Sequence, residues 1–503
     1  TPIIKDTGDV ADSLNLGKLL VGGLGKGGKG YFALDVNDPL TMTEANANAW
    51  VKWEYPNSGA SAAELDNMGY SFSQAFIVRA YTEFENNGPR WVVIFGNGYD
   101  SASGTAALYI LDAADGSLIR MLDTAPTGAT GNNGLSTPLP VDIDADSRVD
   151  YVYAGDLNGN LWKFDLTDSD PANWGIAHGN DTNLDGVIDA PVETPAPLFK
   201  ATGRARDFSD GAPNYDWTYS TPAITWDQPI TIQPKAIRHC RVDKPGYLII
   251  FGTGRYLTEE DIVLDEYQTI YAIWDFGDEP SDYLGPMQRG AVDMFSNGSL
   301  EPNVSLLEQK IVAVVNNPYD ANQQLLVFSD YEPDWSVTTT GKPTANVGWF
   351  VDLSGFADAS GRSKERIVRD MVIRDNKLIV TSTIPENDPC EPGGNSVVYE
   401  IDKCTGKRLA APQFDINNDG VIDENDLIQI QNPDWFAGSG LPEFIMVAPT
   451  GIQFDTMVFP PTFLRMPDDE LETKYFSTSA GTIITLRERG EQRGMYYWKQ
   501  ITR

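Results

Sequence analysis

The chain is 503 residues long, enough to bury a large core in one repeat-built domain. It carries 72 acidic against 37 basic residues, a formal charge of -35 that disfavours nucleic acid and anionic membranes and favours cations or cationic proteins, while also serving solubility. No apolar run approaches a membrane span, and the opening TPIIKDTGDV lacks the basic and apolar regions of a signal peptide, so we expect the C-terminal piece of a longer exported protein.

In chain order one theme recurs: a β-branched run, glycines, then an aromatic-rich run ending in Asp. Leu19 to Gly23 precedes Tyr31 to Asp35, and Trp91 to Gly96 precedes Leu108 to Asp112. The glycines from Gly23 to Gly28 match a dinucleotide pattern, yet a strand follows where a phosphate-holding helix is required, so they read as a hairpin turn.

The third unit carries the chemistry. Its loop places Asp142, Asp144, Asp146 and Asp150 at positions one, three, five and nine, with the carbonyl of Arg148 at position seven. Calcium takes roughly six to eight oxygen ligands, and alternate side chains of an EF-type loop turn inward to supply them. Two departures stand out. Ser147 replaces the usual glycine at position six, and Tyr153 occupies position twelve, so Asp150 must close the site itself. The loop runs into the strands Tyr151 to Ala154 and Asn160 to Asp165, which read as a hairpin across Gly155 to Gly159. An acidic turn whose Asp side chains cap their own backbone is the plainer alternative, but four alternating acids repel one another without a cation.

Further along, Asp181, Asn183, Asp185, the Val187 carbonyl and Asp189 form a weaker acidic loop with Val192 at its twelfth position. The theme returns in Tyr247 to Gly252 with Thr269 to Asp275, in Lys377 to Thr381 with Ser396 to Asp402, and in Tyr475 to Ser479 with Thr482 to Leu486. A fainter copy surrounds Val347 to Asp352. Asp415, Asn417, Asp419, the Val421 carbonyl, Asp423 and Asp426 then fill a complete twelve-residue calcium pattern with Gly420 at position six. Three cysteines allow one disulfide; Cys390 with Cys404 is the expected pair, provided that residues 390 to 395 double back beside the strand, and reduced thiols are the alternative. His178 and His239 are too few for an evident zinc cluster, and the twelve tryptophans read as packing.

Six clear copies and the fainter one predict an all-β, seven-bladed propeller, a single domain over 1–503. That gives about 72 residues per blade against a usual ~40–45, so long inter-strand insertions are expected near 167–218, 278–310, 385–395 and 405–445. The segment Met495 to Ile501 is expected to complete a blade and close the ring.

The stretches VDIDADSRVDYVYAGDLNGNLWKFDL, WVVIFGNGYDS with LYILDAADG, YLIIFGTGRYL and SVVYEIDKCTG, in this order, resemble the C-terminal domain of the PilC/PilY family of type IV pilus biogenesis proteins. The resemblance implies a modified seven-bladed propeller, exported to the cell surface or outer membrane and associated with the pilus (fimbrium), with pilin or minor pilins and a host or surface receptor as partners. It implies that Ca2+ in the Asp142 to Asp150 loop governs pilus extension against retraction, with roles in twitching motility and adhesion, and no enzymatic activity. No Arg-Gly-Asp tripeptide occurs, so the integrin binding proposed for some relatives is not supported. Two other readings stay open: a calcium- and PQQ-dependent quinoprotein-like dehydrogenase, whose repeat GDLNGNLWKFDL echoes but whose adjacent cysteine pair is absent, and a glycan-binding adhesin without regulatory action.

Overall fold

A computed structural model of the chain describes residues 17–83, 89–124, 132–179, 195–204, 206–207, 218–219, 225–277, 287, 289, 304–339, 343–356, 363–386, 393–465 and 471–489. Within them the repeated runs fold as antiparallel hairpins, the first and last with alternating burial and the inner ones buried on both faces. Leu19–Gly23 pairs with Tyr31–Asp35, Pro89–Gly96 with Ala107–Asp112, Tyr247–Gly252 with Thr269–Asp275, Lys377–Thr381 with Gly394–Asp402, and Leu471–Ser477 with Ile483–Arg489. The α-helices among the described residues are of four and six residues. None of the helices there is long and apolar enough to cross a membrane.

The sheets stack face to face, and the strand Ala107–Asp112 shows why. All six of its residues are buried. Ala107, Tyr109 and Leu111 pack toward the sheet Leu19–Gly23, Tyr31–Asp35, Val51–Tyr55, where Tyr31 stacks on Phe95 at 3.8 Å and Phe95 on Tyr109 at 5.4 Å. Leu108 and Ile110 point the other way, into a layer shared with Val152, Ala154, Trp162 and Phe164 of the next sheet. Burying such a side chain contributes roughly 1.5–3 kcal/mol, so a sheet apolar on both faces is stable only between two neighbours.

The strands are shared out less evenly than the repeats predict. Asn346–Asp352, expected as a separate unit, pairs antiparallel with Thr269–Asp275. On its other side it pairs parallel with Ser305–Gln309, which lies at the end of a predicted insertion. Both strands thus extend the sheet built on Tyr247–Gly252 to five strands. The cause is burial: Val347 through Asp352 are all shielded, and a largely apolar run takes an open sheet edge that covers both of its faces. Met495 to Ile501 lies outside the described residues.

The last described sheet, Thr462–Arg465, Leu471–Ser477 and Ile483–Arg489, docks on the strand Gly394–Asp402 through Phe476, Val458, Ile379 and Val398. Charges are buried in the same seam. Lys474 pairs with Glu400 and Glu488, while the Lys377 ammonium lies 2.8 Å from Glu488 and 3.1 Å from Glu400. Arg374 donates to Glu472 at 2.7 Å. Removing one member of such a buried set strands its partners at about 3–5 kcal/mol.

Glu365 is enclosed nearby, its Oε1 accepting the hydroxyls of Ser382 at 2.6 Å and Tyr399 at 2.7 Å. Burial pushes its carboxyl up to about 7, against the pull of these two hydrogen bonds. The folded protein therefore holds a proton that the unfolded chain releases at ordinary carboxylate pH. The stability this contributes is complete below the unfolded value of about 4.5 and is lost as pH rises through 7, by about 3 kcal/mol at most. Urea denaturation at pH 5 and pH 8 is expected to show that fall, and Glu365→Gln, which keeps an acceptor without the charge, to remove it.

The disulfide joins Cys240 to Cys404, with Cα atoms 6.0 Å apart, so the expected Cys390–Cys404 pair is corrected. Gly394–Asp402 is extended over nine residues and carries Cys404 away from its start, toward the turn after Arg238 where Cys240 waits. Cys390 itself lies outside the described residues. The neighbouring His239 is buried against the Trp274 and Trp335 rings, at 4.6 and 4.7 Å, a packing role.

Candidate metal centre

Residues 142–150 are the turn of a hairpin. Leu139–Val141 pairs antiparallel with Tyr151–Gly155, Val141 stands opposite Tyr151, and the Asp150 N–H donates to the Val141 carbonyl at 2.9 Å. Tyr151–Gly155 pairs in turn with Asn160–Asp165, the predicted hairpin, so the loop is held between strands.

Side chains wind the turn on itself. Asp142 accepts the N–H groups of Ala145 at 2.7 Å and Ser147 at 2.8 Å; Asp144 accepts that of Asp146 at 3.0 Å, and Asp146 that of Arg148 at 2.8 Å. The result brings carboxylate oxygens of Asp142, Asp144 and Asp146 within 4.8 Å of one another, all three residues exposed. Each like-charged pair at that distance costs about 1 kcal/mol even in water, and a hard divalent cation reverses the sign. The donors suit calcium in kind, since they are oxygens with lone pairs beyond those spent on the backbone. Ala145 and Ser147 take φ of 64° and 72°, so the missing glycine at position six is met by a serine in the left-handed region. Each such residue costs about 1–3 kcal/mol, which a bound ion would offset.

Asp150 is not part of that exposed group. It is buried; one oxygen accepts the Ile143 N–H at 2.6 Å and the other the hydroxyl of Tyr81 at 2.9 Å. Burial pushes its carboxyl above the usual aspartate range, helped by Asp144 and Asp142 and opposed by the two hydrogen bonds. Tyr81 comes from the strand Phe76–Glu83 of the preceding sheet, and Arg148 lies over its ring at 5.2 Å. On the far side the Ile143 carbonyl accepts Arg238 and Tyr247, each at 3.4 Å. The loop therefore joins its own sheet to two others, those of Tyr81 and of Arg238 with Tyr247. No local signal marks Tyr81, which is 69 residues from its partner.

The second acidic loop repeats the plan. Asp415 accepts the N–H of Gly420 at position six, as Asp142 accepts that of Ser147. Asn417 accepts that of Asp419, and Asp419 that of Val421. Asn418 and Gly420 take positive φ at positions four and six, as Ala145 and Ser147 do. Asp426, buried at position twelve, accepts the N–H of Ile416 at position two, and Asp150 accepts the corresponding N–H of Ile143. Burial pushes Asp426 up as well, with Asp415 adding to it. Asp150 thus occupies, three residues early, the place that the last acid takes in the complete pattern. Asp423 is turned to its own helical turn, accepting the Asn425 N–H at 2.7 Å. Arg487 approaches Gly420, setting a positive charge against this loop. Asp181, Asn183, Asp185, Val187 and Asp189 lie outside the described residues.

A family model described as the PilY1 beta-propeller domain matches residues 1–311. The chain belongs to that family. The sheets of the matched region therefore belong to a beta-propeller domain, and the loop 142–150 falls inside that region while 415–426 lies beyond it. The type IV pilus biogenesis factor PilY1 of Pseudomonas aeruginosa strain PAO1 is 31% identical over 408 residues, covering 80% of this chain and 30% of its own length. A PilY1 homolog of Xylella fastidiosa strain Temecula1 is 31% identical over 400 residues, 77% of this chain and 22% of its own. The chain thus spans less than a third of these relatives, which are named as biogenesis factors and not as enzymes. The crystal structure of the Pseudomonas aeruginosa PilY1 C-terminal domain superposes with a TM-score of 0.63 over 93% of this chain and 80% of that one, at 24% identity, a likeness of fold.

Proposed function

We propose that this chain is the calcium-binding propeller of an exported type IV pilus biogenesis factor, in which ion occupancy of the loop 142–150 governs pilus extension against retraction. Kinship to PilY1 proteins supports the pilus role. The observation that carries the calcium reading is the shared hydrogen-bond plan of the two acidic loops, down to the buried acid on the position-two N–H. Asp142, Asp144, Asp146, the Arg148 carbonyl and Asp150 hold the first ion. Asp415, Asn417, Asp419, the Val421 carbonyl, Asp423 and Asp426 hold a second, weakened by Arg487; the loop 181–189 is a third, weaker site. A ring of seven blades belongs to the same reading, with the ladders Thr202–Arg204 to Thr225–Asp227 and Arg206–Asp207 to Thr218–Tyr219 counted as one blade.

Bound calcium supplies the positive charge that lets four acids share one turn. The chain's own residues transmit the result. Asp150 ties the loop to Tyr81 on one side, and the Ile143 carbonyl ties it to Arg238 and Tyr247 on the other, so fixing the loop fixes the seam between three sheets. A surface for pilin or minor pilins beside that seam is then populated mainly in the bound state, on a protein held at the cell surface or outer membrane with further contacts to a host or surface receptor. In cells carrying the full-length protein with Asp142→Ala and Asp144→Ala, surface pilus number and twitching zones are expected to stop responding to calcium chelation. A response equal to that of the unsubstituted protein contradicts the assignment.

A further inference from the structure

Residues 409–464 contain eight Asp and Glu and no Lys, Arg or His. Within this stretch Ile428–Gln431 and Phe444–Val447 form a hairpin that pairs with no other strand among the described residues. Its inner face is anchored: Ile428, Ile430 and Val447 are buried against Val312, Leu325 and Val327 of the neighbouring sheet. Its outer face is not covered among the described residues. Phe444 is 52% exposed, Met446 55%, and Phe436 and Leu441 of the connecting turn 66% and 46%. Single exposed apolar residues are ordinary, but four on one short hairpin with open backbone edges make a surface that water solvates poorly and another strand would complete. Asp434 and Glu443 flank it, and the acidic loop 415–426 leads into it. Arg487 offsets charge at Gly420, in the loop and not on the hairpin.

We infer that this face docks an extended apolar segment of a partner protein bearing Lys or Arg, laid along the hairpin as an added strand. Charge complementarity selects that occupant. A second copy would bring its own acids against these, an anionic lipid surface would be repelled, and a basic strand meets both the open ladder and the acidic rim. Alternate apolar side chains of the segment cover Phe444 and Met446, while its basic side chains reach Asp434 and Glu443. Calcium at residues 142–150 plays no part in this contact.

The test is fluorescence anisotropy of the 503-residue chain with a labelled decapeptide that alternates valine or phenylalanine with lysine, against the same peptide with glutamate for lysine. The lysine peptide is expected to bind, to weaken with added salt, and to exceed the glutamate peptide by at least about tenfold. Phe444→Ser with Met446→Ser is expected to weaken binding by at least about tenfold without moving the thermal melt, and Leu40→Ser, elsewhere on the surface, to leave it unchanged. Absence of binding, equal binding of the glutamate peptide, or undiminished binding to the double variant overturns the inference. Self-association abolished by the double variant, or capture by zwitterionic vesicles, in either case without peptide binding, also overturns it and gives the face to that occupant.

Discussion

Asp150→Ala is expected to remove calcium binding at the loop 142–150, weakening it at least about 100-fold, while the propeller stays folded. The loop has three acids that converge in the open and a fourth that is buried and spans Ile143 and Tyr81. Deleting the fourth removes the ligand that stands in for position twelve and also strands the Ile143 N–H and the Tyr81 hydroxyl, at about 1–3 kcal/mol each. Release of a carboxyl that burial disfavours offsets part of that loss. Isothermal titration calorimetry beside thermal melting separates the two effects. Tyr81→Phe is the control: it deletes one hydrogen bond to Asp150 and keeps every ligand, so affinity changes by less than about tenfold. Calcium uptake by the Asp150 variant equal to that of the unsubstituted protein would exclude Asp150 as a ligand.

Reduction of the disulfide is expected to lower the unfolding free energy by about 5 kcal/mol in the chain-entropy model, because the bond joins residues 164 apart. The bond ties the turn after Lys235–Arg238, whose Arg238 donates to the loop 142–150, to the turn after Gly394–Asp402. Urea midpoints with and without reductant measure the effect. Cys240→Ser and Cys404→Ser are each expected to abolish the sensitivity to reductant, and Cys390→Ser to leave it intact. A reductant effect that survives in Cys240→Ser and vanishes in Cys390→Ser would restore the pairing that spacing alone favours.

The contrast between the two predictions shows what a linear sequence carries. The hairpins of the recurring theme were legible because their strands are adjacent in the chain and their turn residues lie between them, as in Leu19–Gly23 with Tyr31–Asp35. The convergence of Asp142, Asp144 and Asp146 was legible for the same reason, since alternate acids within a few residues form a local pattern. What stayed hidden depends on neighbours distant in sequence. Tyr81 reaches Asp150 from another sheet, Cys240 reaches Cys404 from 164 residues away, and Asn346–Asp352 joins a sheet begun a hundred residues earlier. Lys474 and Glu488 were invisible in a different sense, since alternating charges in a strand read as a solvated face until a second sheet covers them.

Anomalous diffraction from crystals of this chain grown with calcium tests the central claim most directly. The account predicts a density peak coordinated by Asp142, Asp144, Asp146 and Asp150 together with the Arg148 carbonyl. Crystals in millimolar calcium that show these four carboxylates hydrogen-bonded as they are without the ion, and no peak between them, would contradict it.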